Sequence, residues 1–179
     1  MVYVILANGF EEMEAIAPID LLRRAGVDVV TVGVGSKNIV GSHDIPVTAD
    51  IVDTEMRTDG LEMIVLPGGL AGTKAISESE RVKEAVRRVY ENGGWVCAIC
   101  AAPTVLGSMG LLKGKKAVCY PGHEHMLEGA EIVDADVVVD GRIITGRAAG
   151  AATPFALKLV EALKGARESE TIAEKICFR

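Results

Sequence analysis

The stretch Val96-Cys97-Ala98-Ile99-Cys100-Ala101-Ala102-Pro103 changes character at Cys100. The residues before the thiol read as a buried strand, and the small residues after it, closing on Pro103, read as the start of a helix. Cys100 therefore sits at a bend, beyond the carboxyl end of a strand, where open α/β sheets place their chemistry. Unpaired N–H groups at a helix start favour a thiolate, the nucleophilic form of cysteine. Position alone leaves two readings open, a nucleophile and an inert core thiol.

The surrounding chain extends the strand–helix rhythm. Val2-Tyr3-Val4-Ile5-Leu6 is apolar throughout, as a parallel strand covered on both faces requires, and Asn8-Gly9 ends it. Glu11 to Glu14 open a helix, with Met13, Ile16, Ile19 and Leu22 at the spacing of a buried stripe and Gly26 as its stop. Pro18 lies inside this helix and cannot donate to the Glu14 carbonyl, which predicts a bend just beyond Glu14. Read alone, Glu14 is a solvated first-turn acid.

Val27 to Val34 reads as a second core strand, Val40 to Thr48 as short mixed strand, and Asp50 to Gly60 as irregular. Met63-Ile64-Val65-Leu66 is a third core strand ending in Pro67-Gly68-Gly69, where paired glycines let backbone N–H groups approach a ligand. Ser77 and Glu80 have capping-box spacing ahead of a helix with a Val82, Val86, Val89 stripe. After the Trp95–Ile99 strand and a helix from Pro103, the chain gives a short strand at Val118. A hairpin follows at Asp136–Thr145, turning on Asp140-Gly141, and then two helices. The alternation predicts one α/β domain over residues 1–179, a mostly parallel sheet with helices on both faces.

With 49% apolar residues and a net charge of −6, the chain reads as an ordinary folded globule with no footprint for nucleic acid or anionic membrane. Four cysteines without an apolar leader read as free thiols of a cytoplasmic protein. No apolar run is long enough to span a bilayer.

Cys97 and Cys100 form a C-x-x-C, but Cys97 falls within the strand, whereas a redox pair straddles a helix start. Cys119, His123, Glu124 and His125 offer metal-ligand chemistry at a spacing that matches no structural zinc pattern. No metal and no cofactor is expected. A serine triad lacks its G-x-S-x-G elbow.

Taken in order, Gly9-Phe10-Glu11-Glu12-Met13-Glu14, Pro18-Ile19-Asp20, Arg23-Arg24-Ala25-Gly26, Val65-Leu66-Pro67-Gly68-Gly69 and Ala98-Ile99-Cys100-Ala101-Ala102-Pro103 resemble the ThiJ/PfpI superfamily. Within it they are most similar to the parkinsonism-associated deglycase, or glyoxalase III-like, branch. The resemblance implies a three-layer flavodoxin-like sandwich, a homodimer, and a small reactive carbonyl as substrate. It makes Cys100 the nucleophile, Glu14 the partnering carboxyl, and Gly69 and Ala101 the donors of backbone N–H groups to the reacting oxygen. Gly68, Tyr120, His43 and Arg24 become site walls, with Arg24 approaching from the dimer mate. The activities implied are glutathione-independent glyoxalase and deglycase. The alternative is an oxidative-stress sensor or redox-regulated chaperone in which Cys100 becomes a sulfinic acid.

Departures from that pattern narrow the expectation. Tyr120 stands where many members of the branch carry a histidine, and a phenol is a poor base near neutral pH. His43 stands where an arginine is frequent, which makes anion attraction depend on pH. Ala101 replaces the histidine of the peptidase branch, and no histidine after His125 provides an amidotransferase His-x-Glu pair. Glu14 is left as the expected acid/base.

Overall fold

The computed structural model describes residues 1–179. Five strands form the parallel heart of the sheet: β1 (Val2–Leu6), β2 (Val29–Gly33), β6 (Met63–Leu66), β7 (Trp95–Ile99) and β11 (Ile143–Gly146). Between them the chain adds β3 (Asn38–Val40), β4 (Pro46–Thr48), β5 (Ile51–Val52), β8 (Lys116–Ala117), β9 (Glu131–Ile132) and β10 (Val137–Asp140). The main sheet runs β10-β11-β7-β6-β1-β2-β5, and only β10 is antiparallel. Counting only the five long parallel strands, this is the flavodoxin-like order, whose topological switch point falls between β1 and β6.

Alternation along each strand divides the apolar side chains between two cores. Val2, Val4, Leu6, Met63, Val65, Cys97 and Ile99 face α1 (Glu12–Arg24), α5 (Ala152–Lys164) and α6 (Ala166–Lys175). Tyr3, Ile5, Ile64, Leu66, Val96 and Ala98 face the opposite layer, where Val82, Val86, Val89, Val105 and Leu106 meet them. That layer consists of α2 (Leu70–Glu78), α3 (Glu80–Glu91) and α4 (Pro103–Ser108). Each core contains 22 buried residues, so neither face of the sheet is left to water. No helix is long and apolar enough to cross a membrane.

Three local expectations are corrected. The buried face of α1 is Ala15, Ile19 and Leu22 with Glu14 and Pro18, while Met13 and Ile16 are 59% and 44% exposed. The inward turn of Glu14 sets this rotation, because Pro18 and Leu22 follow it at helical spacing. The helix runs on through Pro18 to Arg24, and Gly26 just beyond it has a φ of +67°, which suits a residue without Cβ. Ser77 lies inside α2, where its Oγ donates to the Lys74 carbonyl; the cap of α3 is Ser79, which accepts from Val82 N at 3.4 Å. The irregular stretch after Asp50 contributes β5 to the sheet edge, pairing Val32 with Ile51.

The hairpin of β10 and β11 forms as expected around Asp140-Gly141. It places β11 beside β7 with Gly146 opposite Ile99, next to the bend. Burial of Leu22 is complete. Leu22→Ala should therefore lower the unfolding free energy by about 2–5 kcal/mol, read from urea denaturation.

Candidate active site at the carboxyl ends of β6 and β7

Cys100 adopts φ +66°, the left-handed region that L residues enter only under constraint. Its backbone is held on both sides, since Cys100 N donates to the Gly146 carbonyl at 2.9 Å and Tyr120 N donates to the Cys100 carbonyl at 2.8 Å. This is a strand-to-helix elbow of the kind that lifts a nucleophile above an α/β sheet. Cys100 is partly exposed, whereas Cys97, three residues back on β7, is fully buried with its thiol pushed well up by burial. All four cysteines are free.

Glu14 reaches this elbow from α1. It is 0% exposed, which overturns the reading of a solvated first-turn acid. Its Oε2 accepts from Gly68 N at 2.9 Å, and its Oε1 has no hydrogen-bond partner. Gly68 has no room for a side chain: a Cβ there would lie 2.6 Å from both Cys100 Cβ and Glu14 Oε2. Gly69 follows at φ +88°, packed against the backbone of Gly9 and Phe10. The carboxyl, the glycine and the thiol thus form one contact group drawn from α1, β6 and β7.

Burial pushes Glu14 up to about 7, with the Cys100 thiol and the Gly68 N–H pulling the other way. Burial, and then the Glu14 charge, push the Cys100 thiol up to about 12, while the N–H groups of Gly69 and Ala101 draw it down. The expectation of a thiolate set by the helix start is therefore corrected. α4 spans only Pro103–Ser108, and desolvation beside a carboxyl outweighs its end. The two groups titrate as a coupled pair, the carboxyl losing its proton before the thiol.

A cavity of about 580 Å³ opens over the sulfur. Gly69, Cys100, Ala101, Tyr120 and His43 line it, as do Glu11, Ser42, Leu70 and His123. Gly68 and Glu14 lie behind Cys100 and do not line it, nor does Arg24, which pairs with Asp20 at 2.7 Å on the outer face of α1. A depression of about 590 Å³ beside Trp95 and Arg142, at the amino ends of the strands, holds no cysteine.

His43 is held at the rim by Glu12. Glu12 Oε1 accepts from His43 N at 2.7 Å and Oε2 lies 2.9 Å from His43 Nδ1. Burial raises Glu12, but the hydrogen bonds from His43 and Ser42 outweigh it and hold the carboxyl at about 2, and the same contact raises His43. Glu11, Glu12 and His43 bring ligand atoms within 4.8 Å of one another. The cluster of Cys119, His123, Glu124 and His125 forms no such group.

His123 is the residue that sequence reasoning placed elsewhere. Its sequence context suggests a metal ligand, yet it lines the cavity with its ring edge-on to Tyr120, centroids 5.9 Å apart. The available signal was the turn Tyr120-Pro121-Gly122-His123, closed by His123 N donating to the Tyr120 carbonyl at 3.1 Å. Such a turn returns the fourth residue to the side of the first. The site therefore keeps an imidazole despite Tyr120.

Comparison with known proteins assigns the chain a family. The DJ-1/PfpI family model matches residues 1–162. This chain belongs to that family. DJ-1beta of Drosophila melanogaster is 40% identical over 174 residues, covering 96% of this chain and 93% of that protein. The crystal structure of Drosophila DJ-1beta superposes with a TM-score of 0.95 at 39% identity, over 99% of this chain and 97% of that one. Two DJ-1/PfpI relatives bear activity names. A glutathione-independent glyoxalase of Caenorhabditis elegans is 30% identical, over 94% of this chain and 90% of its own length. A deglycase of Pyrococcus abyssi is 32% identical, over 91% and 99%.

The Glu14 environment gives a stability test. The folded state retains the Glu14 proton between the ordinary value of 4.5 and about 7, so Glu14 withdraws stability as pH rises through that window. Gln keeps an acceptor for Gly68 N without the charge. Glu14→Gln should match wild type near about pH 5 and exceed it by roughly 1–3 kcal/mol near about pH 8 in urea denaturation.

Proposed function

We propose that this DJ-1/PfpI protein is a cysteine-dependent enzyme acting on small α-oxoaldehydes, a glutathione-independent glyoxalase whose chemistry extends to deglycation. The observation that carries this reading is the approach of Cys100 and a buried Glu14 to one another about Gly68, with the second Glu14 oxygen unpartnered. The activity names of the two relatives support the substrate class.

In this reading Cys100 attacks the aldehyde carbon of methylglyoxal as its thiol proton passes to the Glu14 carboxylate. The oxyanion meets the N–H groups of Gly69 and Ala101, which already face the sulfur. Glu14 returns the proton to that oxygen, giving a hemithioacetal. The carboxylate then removes the hydrogen on the former aldehyde carbon and delivers it to the neighbouring ketone carbon through an enediolate. The aldehyde carbon is oxidised and the ketone carbon reduced, so no external redox partner is needed. Water hydrolyses the resulting thioester to lactate and the free thiol.

A thiol pushed up to about 12 needs a base to act as nucleophile, and the Glu14 carboxyl beside it supplies one. Tyr120 and His43 form the walls of the substrate cavity. The second copy of a homodimer is proposed to cover the outer face of α1, where Met13 and Ile16 are exposed beside Asp20 and Arg24. That arrangement would bring Arg24 toward the partner's cavity.

Lactate formation from methylglyoxal should vanish in Cys100→Ala and fall by about 100-fold or more in Glu14→Gln. Equal rates for Cys100→Ala and wild type would overturn the reading. Wild-type kcat/KM should rise with pH through about 7 as Glu14 becomes able to accept the thiol proton. Ile16→Glu should convert a dimer to monomer in sedimentation velocity, since it buries an unpaired charge in the proposed interface.

A further inference from the structure

The lactate-forming sequence leaves one substrate oxygen without a partner. Once Cys100 has added to the aldehyde carbon of methylglyoxal, the first oxygen meets the N–H groups of Gly69 and Ala101. When Glu14 removes the hydrogen on that carbon, negative charge moves onto the second oxygen, that of the ketone. A donor aimed there would stabilise the enediolate more than the ground state, and only such differential binding accelerates a step.

Most polar groups around the cavity are already committed. Ser42 Oγ lies 3.2 Å from an oxygen of Glu11 and from one of Glu12. His43, 68% exposed at the rim, is tied to Glu12 through its backbone N–H and its Nδ1. Glu11 offers only acceptor oxygens. Tyr120 is half-exposed, with a hydroxyl that turns between donating and accepting. His123 differs from all of these. It is half-buried, and its Nδ1 is sealed from solvent without a hydrogen-bond partner, whereas Nε2 is not sealed.

The backbone fixes this ring relative to the elbow. His123 N donates to the Tyr120 carbonyl at 3.1 Å, and Tyr120 N donates to the Cys100 carbonyl at 2.8 Å. On the far side Met126 N donates to the His123 carbonyl at 3.0 Å. The imidazole stands at 78° to the Tyr120 ring, which lines the cavity over Cys100. These contacts hold the ring in place without using either of its nitrogens.

The sealed nitrogen selects the tautomer. A proton on Nδ1 would be a buried N–H with no acceptor, and orphaned N–H groups are rarer in folded proteins than orphaned lone pairs. The proton therefore sits on Nε2, which turns the accessible edge of the ring into a donor. Nδ1 itself meets no substrate.

We infer that His123 Nε2–H donates a hydrogen bond to the ketone oxygen of the α-oxoaldehyde and holds the charge of the enediolate. The inference rests on the glyoxalase-type reading and adds a catalytic residue to it. The proton stays on Nε2 throughout. Glu14 carries the carbon-bound hydrogen from one carbon to the next, and the hydroxyl proton of the hemithioacetal passes within the enediolate to the ketone oxygen. His123 ends the step unchanged.

The test pairs His123→Phe, which keeps a ring against Tyr120 but has no donor, with His123→Gln, whose amide restores an N–H. The kcat for lactate formation should fall about 10- to 100-fold in His123→Phe and return to within about threefold of wild type in His123→Gln. Alkylation of Cys100 by iodoacetamide should keep its wild-type rate in both, which separates a lost donor from a disturbed elbow. A His123→Phe enzyme as fast as wild type, or equal losses in the two variants, overturns the assignment. A wild type that forms no lactate overturns the glyoxalase reading instead, and the ring itself then decides. Long-range proton–nitrogen NMR that finds the His123 proton on Nε2, with a shift of that nitrogen on adding acetohydroxamate as an uncharged analogue of the enediol, supports the donor. A proton on Nδ1, or no shift, overturns it.

Discussion

The arrangement of this protein depends on the burial of one carboxyl. Glu14 enters the interior from the first turn of α1 and takes the Gly68 N–H, and that contact determines which face of α1 meets the sheet. Ala15, Ile19 and Leu22 pack inward as a consequence, and Met13 and Ile16 turn out. It also demands that residue 68 be glycine, since any Cβ would occupy the space between carboxyl and thiol. Desolvating a carboxyl is unfavourable and favours its protonated form. The fold accepts that cost at the switch point between β1 and β6, where strand ends and loops leave a crevice by topology alone.

Much of this was legible in the sequence. Apolar runs such as Val2–Leu6 and Met63–Leu66 announce buried parallel strands because both faces need apolar cover. Asp140-Gly141 announces the hairpin because few residues other than glycine enter its turn easily. The bend at Cys100 was legible for a similar reason, as a change of periodicity within eight residues. The order of motifs then connected Cys100 with Glu14, which no local pattern links.

The illegible parts are those set by distant contacts. Periodicity put Met13 and Ile16 in the core, but one inward carboxyl rotated the helix, and hydropathy cannot weigh a glutamate that finds an N–H and a thiol. A helix start favours a thiolate at Cys100, but burial and the Glu14 charge, set by other elements, push the thiol up instead. His123 was hidden because its relevance comes from a turn that folds it back to Tyr120, beside a strand end far away in sequence. Local rules recover elements, whereas electrostatics and cavity walls belong to the assembled molecule.

The left-handed backbone of Cys100 has a consequence for how the nucleophile is retained. At φ +66° a small residue with a Cβ, such as Ala or Ser, incurs a steric penalty of order 1–3 kcal/mol much as cysteine does, so the burden belongs to the position and not to sulfur. Replacing the thiol by another small L side chain gives up reactivity and recovers little of that penalty. Only glycine would recover it, and glycine has no chemistry to offer. The clamps from Gly146 and Tyr120 keep the elbow bent whatever stands there, which makes the geometry a property of the scaffold that the cysteine merely occupies.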